Sequence, residues 1–239
     1  MRVTKRKIIE KVRLLLDEIG TNDSGFESGK DEQELDTLIG ESALEALRFI
    51  NTNAPRELLE ADARLEQDAL TQEDGLLPDT KVGIFAGVQD FLRMVSVRCS
   101  SWSRPVFEPV MEGTPEWDKL HNKFLTGTPE YPEVGISKRL EVSPSGKSCE
   151  HDIRLYCLPV YPDGAKPRSV ELDYVTRPSW TADKEEEYLH VSYLLQDAFH
   201  YYLAYLVLMA LGDSRQTVAL NQALPLMGLD TQNTATDGE

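Results

Sequence analysis

Near its end the chain carries the stretch that restricts its fold most: Tyr188 to Gly212, YLHVSYLLQDAFHYYLAYLVLMALG. From Ala198 to Leu211 only His200 interrupts a run of apolar and tyrosyl side chains. As a helix at ~1.5 Å per residue this run rises about 21 Å, too short to cross a hydrocarbon core of about 30 Å. A helix that is apolar on every side must therefore be covered by protein. The cover is either the core of the same chain or another subunit.

Elsewhere the chain is polar and acidic. It has 239 residues, 41% hydrophobic and 28% charged, with a net charge of −16. That length holds one large domain or two small ones, with ample material for a core. The acidic surplus argues against wrapping nucleic acid, because phosphate binding needs Lys and Arg to release counterions. A negative wall would instead let DNA pass without adhering. Basic residues concentrate only at the start, where Arg2, Lys5, Arg6, Lys7, Lys11 and Arg13 accompany the single acid Glu10. They read as a solvated or subunit-facing helix surface, a nucleic-acid arm being the lesser reading. Cys99, Cys149 and Cys157 are few and odd in number. No apolar signal segment follows the charged N-terminus, and no run of about 18 apolar residues occurs. The expectation is an intracellular protein with reduced thiols, neither secreted nor membrane-embedded.

Hydrophobic periodicity predicts a helix over Thr4–Ile19, with Ile8, Ile9, Val12, Leu15, Leu16 and Ile19 on one face and Gly20 closing it. Thr21–Gln33 reads as a loop. A second helix follows from about Glu32 to Asn51, and Pro55 opens a short third one through Leu59. From Ala61 to Asp79 the acids Asp62, Glu66, Asp68, Glu73, Asp74 and Asp79 face Arg64 alone. A weak strand at Ala63 and Leu65 within exposed loop is expected there.

The period then changes. Phe91–Cys99, Val134–Ser137, Arg139–Val142, Ile153–Leu158 and Ser169–Thr176 read as strands, and Pro105–Val110 as an edge strand because its prolines cost ladder bonds. Pro144-Ser145-Gly146 and Pro162-Asp163-Gly164 supply turns, and Thr114-Pro115 starts a short helix to about Leu125. After Pro178 the helical period returns, with a long helix over about Asp183–Leu211 and a shorter one over Ser214–Met227. The acids Asp183, Glu185, Glu186 and Glu187 suit the positive N-terminal end of the long helix. Leu229–Glu239 reads as a flexible tail. The expected fold is α+β: N- and C-terminal helices (1–60 and 181–228) forming an antiparallel bundle, with a small antiparallel β-sheet inserted at 61–180.

No catalytic constellation emerges. Ser145-Gly146-Lys147-Ser148 carries the GKS triplet of a phosphate loop, but the glycine required five positions earlier is Glu141, so it reads as a hairpin turn. Cys149, His151 and Cys157 lack a paired C-x-x-C, and Cys157 lies in an apolar strand, so no metal site is expected. His200 reads as a buried histidine satisfied by a tyrosine or the backbone. His190 stands ten residues earlier, which is no ligand spacing, and His121 has no helical partner. The expectation is a protein that is not an enzyme and carries no metal or cofactor.

Three passages carry a resemblance: LDTLIGESALEALRFINTNAP in the second helix, FLRMVSVRCSSWSRPV with ELDYVTRPS in the middle, and LLQDAFHYYLAYLVLMALGDSRQTVALNQALPLM at the end. Their layout resembles the head–tail connector (portal adaptor) proteins of tailed bacteriophages, in particular those of crAss-like and related Bacteroidales phages. Ala198, Tyr201, Tyr202 and Ala204 match the family's A-x-x-Y-Y-x-A pattern, and Gly212-Asp213 its helix break. The resemblance covers most of 1–60 and 180–228.

It implies a ring, most often of twelve subunits, below the portal protein and above the next neck or tail protein. DNA would pass through it without specific binding, at the head–tail junction of the virion. It further implies portal docking by the C-terminal segment, here from Pro225, Leu226, Met227 and Leu229 onward. Leu195, Ala198, Phe199, Tyr202, Leu206 and Met209 are expected to pack on the first two helices, leaving Tyr201, Tyr205 and Leu208 to be covered by subunit contact or by the β insertion. The other readings are a stopper-like or tail-completion ring protein, and a soluble α+β module with an unrecognised site.

Overall fold

Helix α1 (Lys5–Ile19) begins directly after a short strand, β1 (Arg2–Thr4), in a computed structural model that describes residues 1–19, 29–143, 146–160, 169–183 and 186–229. Ile8, Val12, Leu15 and Leu16 of α1 are buried at the spacing that one helical face requires. Helix α2 (Gly29–Asn53) buries Leu35, Ile39, Ala43, Ala46, Leu47 and Ile50 in the same way. Its first residues lie inside the segment expected as loop, whose remainder, 21–28, is outside the described residues together with Gly20. After α2, Pro55 leads into a single 3-10 turn, Arg56–Leu58.

Chain contacts divide the molecule into two units, Met1–Glu60 with Arg177–Glu239, and Ala61–Thr176. The second unit holds eight strands: β2 (Ala63–Glu66), β3 (Thr71–Asp74), β4 (Thr80–Val88), β5 (Phe91–Cys99), β6 (Val110–Met111), β7 (Val134–Ser143), β8 (Gly146–Pro159) and β9 (Val170–Thr176) make up two sheets, with β6 as the parallel edge strand beside β7.

 The smaller sheet has three strands in the order β2-β9-β5, and the larger has five in the order β3-β4-β8-β7-β6. One cluster of buried side chains, including Phe85, Ile153 and Leu155 from the larger sheet and Met94, Val97 and Leu172 from the smaller, forms the core of this unit.

The weak strand expected at Ala63 and Leu65 is β2, and a second short strand, β3, lies within the segment expected as exposed loop. Asp62 is anchored, its carboxylate accepting from the Thr176 N–H at 2.8 Å and hydroxyl at 2.9 Å. Arg64 donates across the β2–β9 pair to Asp173 at 2.6 Å. Strand β4 gave no period-2 signal because Val82, Gly83, Ile84 and Phe85 are all buried, as in a strand covered on both faces. Strands β7 and β8 pair down to Ser143 opposite Gly146, while the expected turn residues Pro144 and Ser145 lie outside the described residues. So does the expected turn Pro162-Asp163-Gly164.

Helix α3 (Pro115–Leu120) is shorter than predicted and covers the other face of the larger sheet, where Leu120 joins Val82, Ile84 and Tyr156. Gly135 makes that approach possible. A Cβ there would stand 2.8 Å from Trp117 Cζ3 and 3.1 Å from Tyr156 Cε2.

The first unit departs most from expectation. Residues predicted to start the long helix are strands, β10 (Thr181–Asp183) and β11 (Glu186–His190), and helix α4 runs only over Gln196–Ala210. Strand β11 lies between β10 and β1, pairing Val3 with Leu189 and Thr4 with Tyr188. Val3, Leu189 and Val191 are buried while His190 is exposed, an alternation that helix cannot use. The acids expected at a helix start meet cations instead: Lys5 donates to Glu187 at 2.7 Å, and Arg2 lies 3.9 Å from Asp183. Helix α5 (Gln216–Leu226) is the last helix among the described residues and packs against α4, burying Ala219 and Ala223.

An antiparallel bundle of N- and C-terminal helices around one small inserted sheet is therefore not the architecture. The protein is mixed α/β and β-rich, with five α-helices and eleven strands in three sheets among the described residues, and one of those sheets joins Arg2–Thr4 to Glu186–His190. The physical reason is the pairing of β1 with a segment nearly the whole chain away, which outweighs local helix propensity.

Replacing Gly135 with Ala should destabilise the second unit by about 1–3 kcal/mol through overpacking against Trp117 and Tyr156. Urea unfolding followed by tryptophan fluorescence measures it, and an unchanged midpoint would refute the tight approach.

Candidate interaction surface

From Ala198 to Leu229 the only side chains with a full charge are Asp213 and Arg215. They neutralise each other, Arg215 donating to Asp213 at 2.6 Å and holding its carboxyl below the usual carboxylate range. The Arg215 N–H also donates to Asp213 Oδ1 at 2.9 Å, so Asp213 orders the turn that leads into α5. Apart from Asp197 in the first turn of α4, two successive helices are thus uncharged in a chain with a net charge of −16.

One side of α4 is a core. Phe199, Leu203 and Val207 recur every four residues and are fully buried. The ring of Tyr202 stacks on Phe49 of α2 at 4.4 Å and lies 5.4 Å from Tyr205. Burial pushes the Tyr202 phenol up to about 12, with Tyr205 and Glu45 adding to the shift. Tyr201, Tyr205 and Met209 follow at four-residue spacing along a second stripe, and the Tyr205 hydroxyl donates to Met209 Sδ at 3.5 Å. Tyr201 and Tyr205 are half-buried, whereas Met209 is 49% exposed. Past the end of α4 the exposed apolar surface continues with Leu211, Val218 and Leu226.

The predicted contact residues therefore separate. Tyr201 and Tyr205 reach the surface in part, but Leu208 is buried, and Met209, expected in the core, is exposed. Helix α5 packs on α4 and so supplies cover that periodicity within α4 does not reveal. Of the four residues placed at the docking end, Pro225 and Leu226 are exposed, Leu229 is half-buried, and Met227 is fully buried. Residues 230–239 lie outside the described residues. Sequence reasoning missed the exposed Val218 and Leu211. The signal that finds them is the near absence of charge from Ala198 to Leu229.

The residues weighed for chemistry do not converge. His121 Nδ1 lies 2.9 Å from the Trp117 carbonyl, and exposed His190 packs edge-on to Tyr188. His151 is buried with its ring 5.0 Å from Phe91, whereas the side chains of Cys149 and Cys157 are outside the description. Cys99 is buried, its sulfur 2.9 Å from the Ser101 hydroxyl. Among the described residues no group of His, Cys, Asp and Glu is arranged to hold a metal ion, and no helix is long and apolar enough to cross a membrane. A surface hollow of about 510 Å³ beside α1 is lined by Lys5, Arg6 and Arg13, but these are already engaged by Glu187, Glu10 and Asp36. No protein-family model matches the chain, and no curated protein matches it in sequence.

His200 differs from the satisfied histidine that was expected. It is buried on α4, and neither ring nitrogen has a hydrogen-bond partner. Burial lowers the imidazole from 6.5 to about 4; Asp197 opposes the shift and Lys11 adds to it. The folded protein holds this ring neutral, so between pH 6.5 and 4 the unfolded chain binds the proton more readily. Stability should fall as pH drops through that window, by roughly 3 kcal/mol in all. Replacing His200 with Leu should remove this slope and, by abolishing the orphaned polar atoms, stabilise the protein at pH 7 by about 1–3 kcal/mol. Thermal or urea denaturation at several pH values decides it; a destabilised variant with the slope intact would contradict this account.

Proposed function

We propose that the protein is a structural component of the head–tail junction of a tailed bacteriophage. In this reading its copies form a closed ring beneath the portal, extend the DNA conduit and link the capsid vertex to the tail. The observation that carries the reading is the surface of α5 and of α4 beyond Asp197, which bears no charge, with Met209, Leu211, Val218 and Leu226 exposed on an otherwise strongly acidic molecule. Exposed apolar side chains gathered where no unpaired charge stands among them are what a protein partner can cover without desolvating a lone carboxylate.

The acidic remainder supports the second half of the reading. A wall with a net negative charge repels the phosphate backbone, so DNA slides past it without binding. The sequence pattern of α2, α4 and the Gly212-Asp213 break is what resembles the connector family. Docking on the portal is assigned to the exposed end of α5, Pro225 and Leu226, with Leu229 and the residues after it.

Cryo-electron microscopy of the portal vertex of the virion should reveal the chain in a ring of closed cyclic symmetry. A protein absent from purified virions, and monomeric when mixed with its portal, would refute the assignment. Removing residues 229–239 should weaken portal docking while leaving the circular dichroism spectrum unchanged. Undiminished docking would take the C-terminal segment out of the contact.

A further inference from the structure

We infer that neighbouring copies meet through the outer stripes of α1 and α2, basic against acidic and in antiparallel register. The inference rests on the ring reading above and names the contact that would build the ring.

On α1, Lys7, Lys11 and Leu14 are exposed. On α2, Glu41 and Glu45 are exposed and Leu38 is half-buried. The steps from Lys7 to Lys11 to Leu14 are four residues and then three. The steps from Glu45 to Glu41 to Leu38 are the same, read in the opposite direction. At ~1.5 Å per residue the two charges on each stripe are about 6 Å apart, with the apolar residue about 4.5 Å beyond. Laid antiparallel, Lys7 stands opposite Glu45, Lys11 opposite Glu41 and Leu14 opposite Leu38. Helix α1 is also a local exception in this acidic chain, with five Lys and Arg against three acids.

The two stripes do not meet within one molecule. There α1 and α2 face each other through Arg13 and Asp36, bonded at 2.8 Å, and through the Lys5 stem against Gly40. At ~100° per residue, Lys7, Lys11 and Leu14 are turned well away from Lys5 and Arg13, and Leu38, Glu41 and Glu45 from Asp36 and Gly40. The basic stripe thus lies on one side of the helix pair and the acidic stripe on the other. Two different surfaces joined in this way make a heterologous contact, which repeats from copy to copy and ends only when a ring closes. Complementary charge fixes the register and speeds encounter, and Leu14 against Leu38 excludes water beside it.

The test uses three variants of the full chain: Lys7→Glu with Lys11→Glu, Glu41→Lys with Glu45→Lys, and all four together. Native mass spectrometry and sedimentation velocity, alone and with the portal, read the assembly state. The wild type should assemble, and its assemblies should weaken as salt is raised. Each double variant alone should associate less tightly, on the order of tenfold or more. An equimolar mixture of the two doubles should co-assemble, because each then presents the charge that the other lacks. The quadruple variant should assemble like the wild type, which also shows that the reversed helices fold. Wild-type assembly in both double variants would overturn this contact and leave the ring standing. A wild type that assembles neither alone nor on the portal would overturn the ring itself. Loss of DNA retention in the Lys7→Glu, Lys11→Glu variant with assembly unchanged would overturn the contact in favour of a nucleic-acid arm.

Discussion

Covering the apolar helix α4 is the constraint on which the first unit depends. Phe199, Leu203 and Val207 have no solvent exposure, and each such side chain stabilises the fold by about 1.5–3 kcal/mol when withdrawn from water. Neither α1 nor α2 covers α4 completely. Helix α1 contributes Ile8, Val12 and Leu15, α2 contributes Ile39, Ala43, Leu47 and Ile50, and α5 approaches closely through Ala219 and Ala223. Each of these helices has one apolar face, and α4 is what those faces share. His200 is held in this core with neither nitrogen satisfied, a cost tolerated inside a helix whose remaining contacts are apolar.

What the helices leave uncovered defines the surface. Charges crowd the molecule generally, yet α4 and α5 expose Met209, Leu211, Val218 and Leu226 with only the self-paired Asp213 and Arg215 between them. On α1 the outward stripe carries Lys7 and Lys11, and on α2 it carries Glu41 and Glu45. A charge-free face and a pair of complementary charged faces do different physical work. The first gains from losing water, whereas the second selects a partner and a register.

Much of the element order was legible in the residues. Ile8, Val12, Leu15 and Leu16 mark α1 by their spacing, and Leu35, Ile39, Ala46 and Ile50 mark α2. Strands β5 and β9 are rich in β-branched and aromatic residues and could be read directly. Strand β4 could not, since burial on both faces removes the alternation that identifies a half-exposed strand. The start of the long helix was misread because Asp183, Glu186 and Glu187 satisfy two rules at once. Acids suit a helix N-terminus, and acids on a strand suit the cations Arg2 and Lys5 opposite them. For the candidate surface, Tyr201 and Tyr205 were found by helical spacing, while Leu208 and Met209 exchanged roles because α5 adds a cover that α4 alone does not encode.

The residues by themselves determined that Ala198–Leu211 needs protein around it, that no stretch is apolar enough for long enough to cross a membrane, and that the middle of the chain is strand. These follow from local quantities: side-chain polarity, spacing and length. Only the tertiary structure decided that Arg2–Thr4 pairs with Glu186–His190, that two sheets share one core in the second unit, and which apolar side chains stay exposed. Each of those depends on hydrogen-bond partners and cover supplied from distant parts of the chain, which no local pattern specifies.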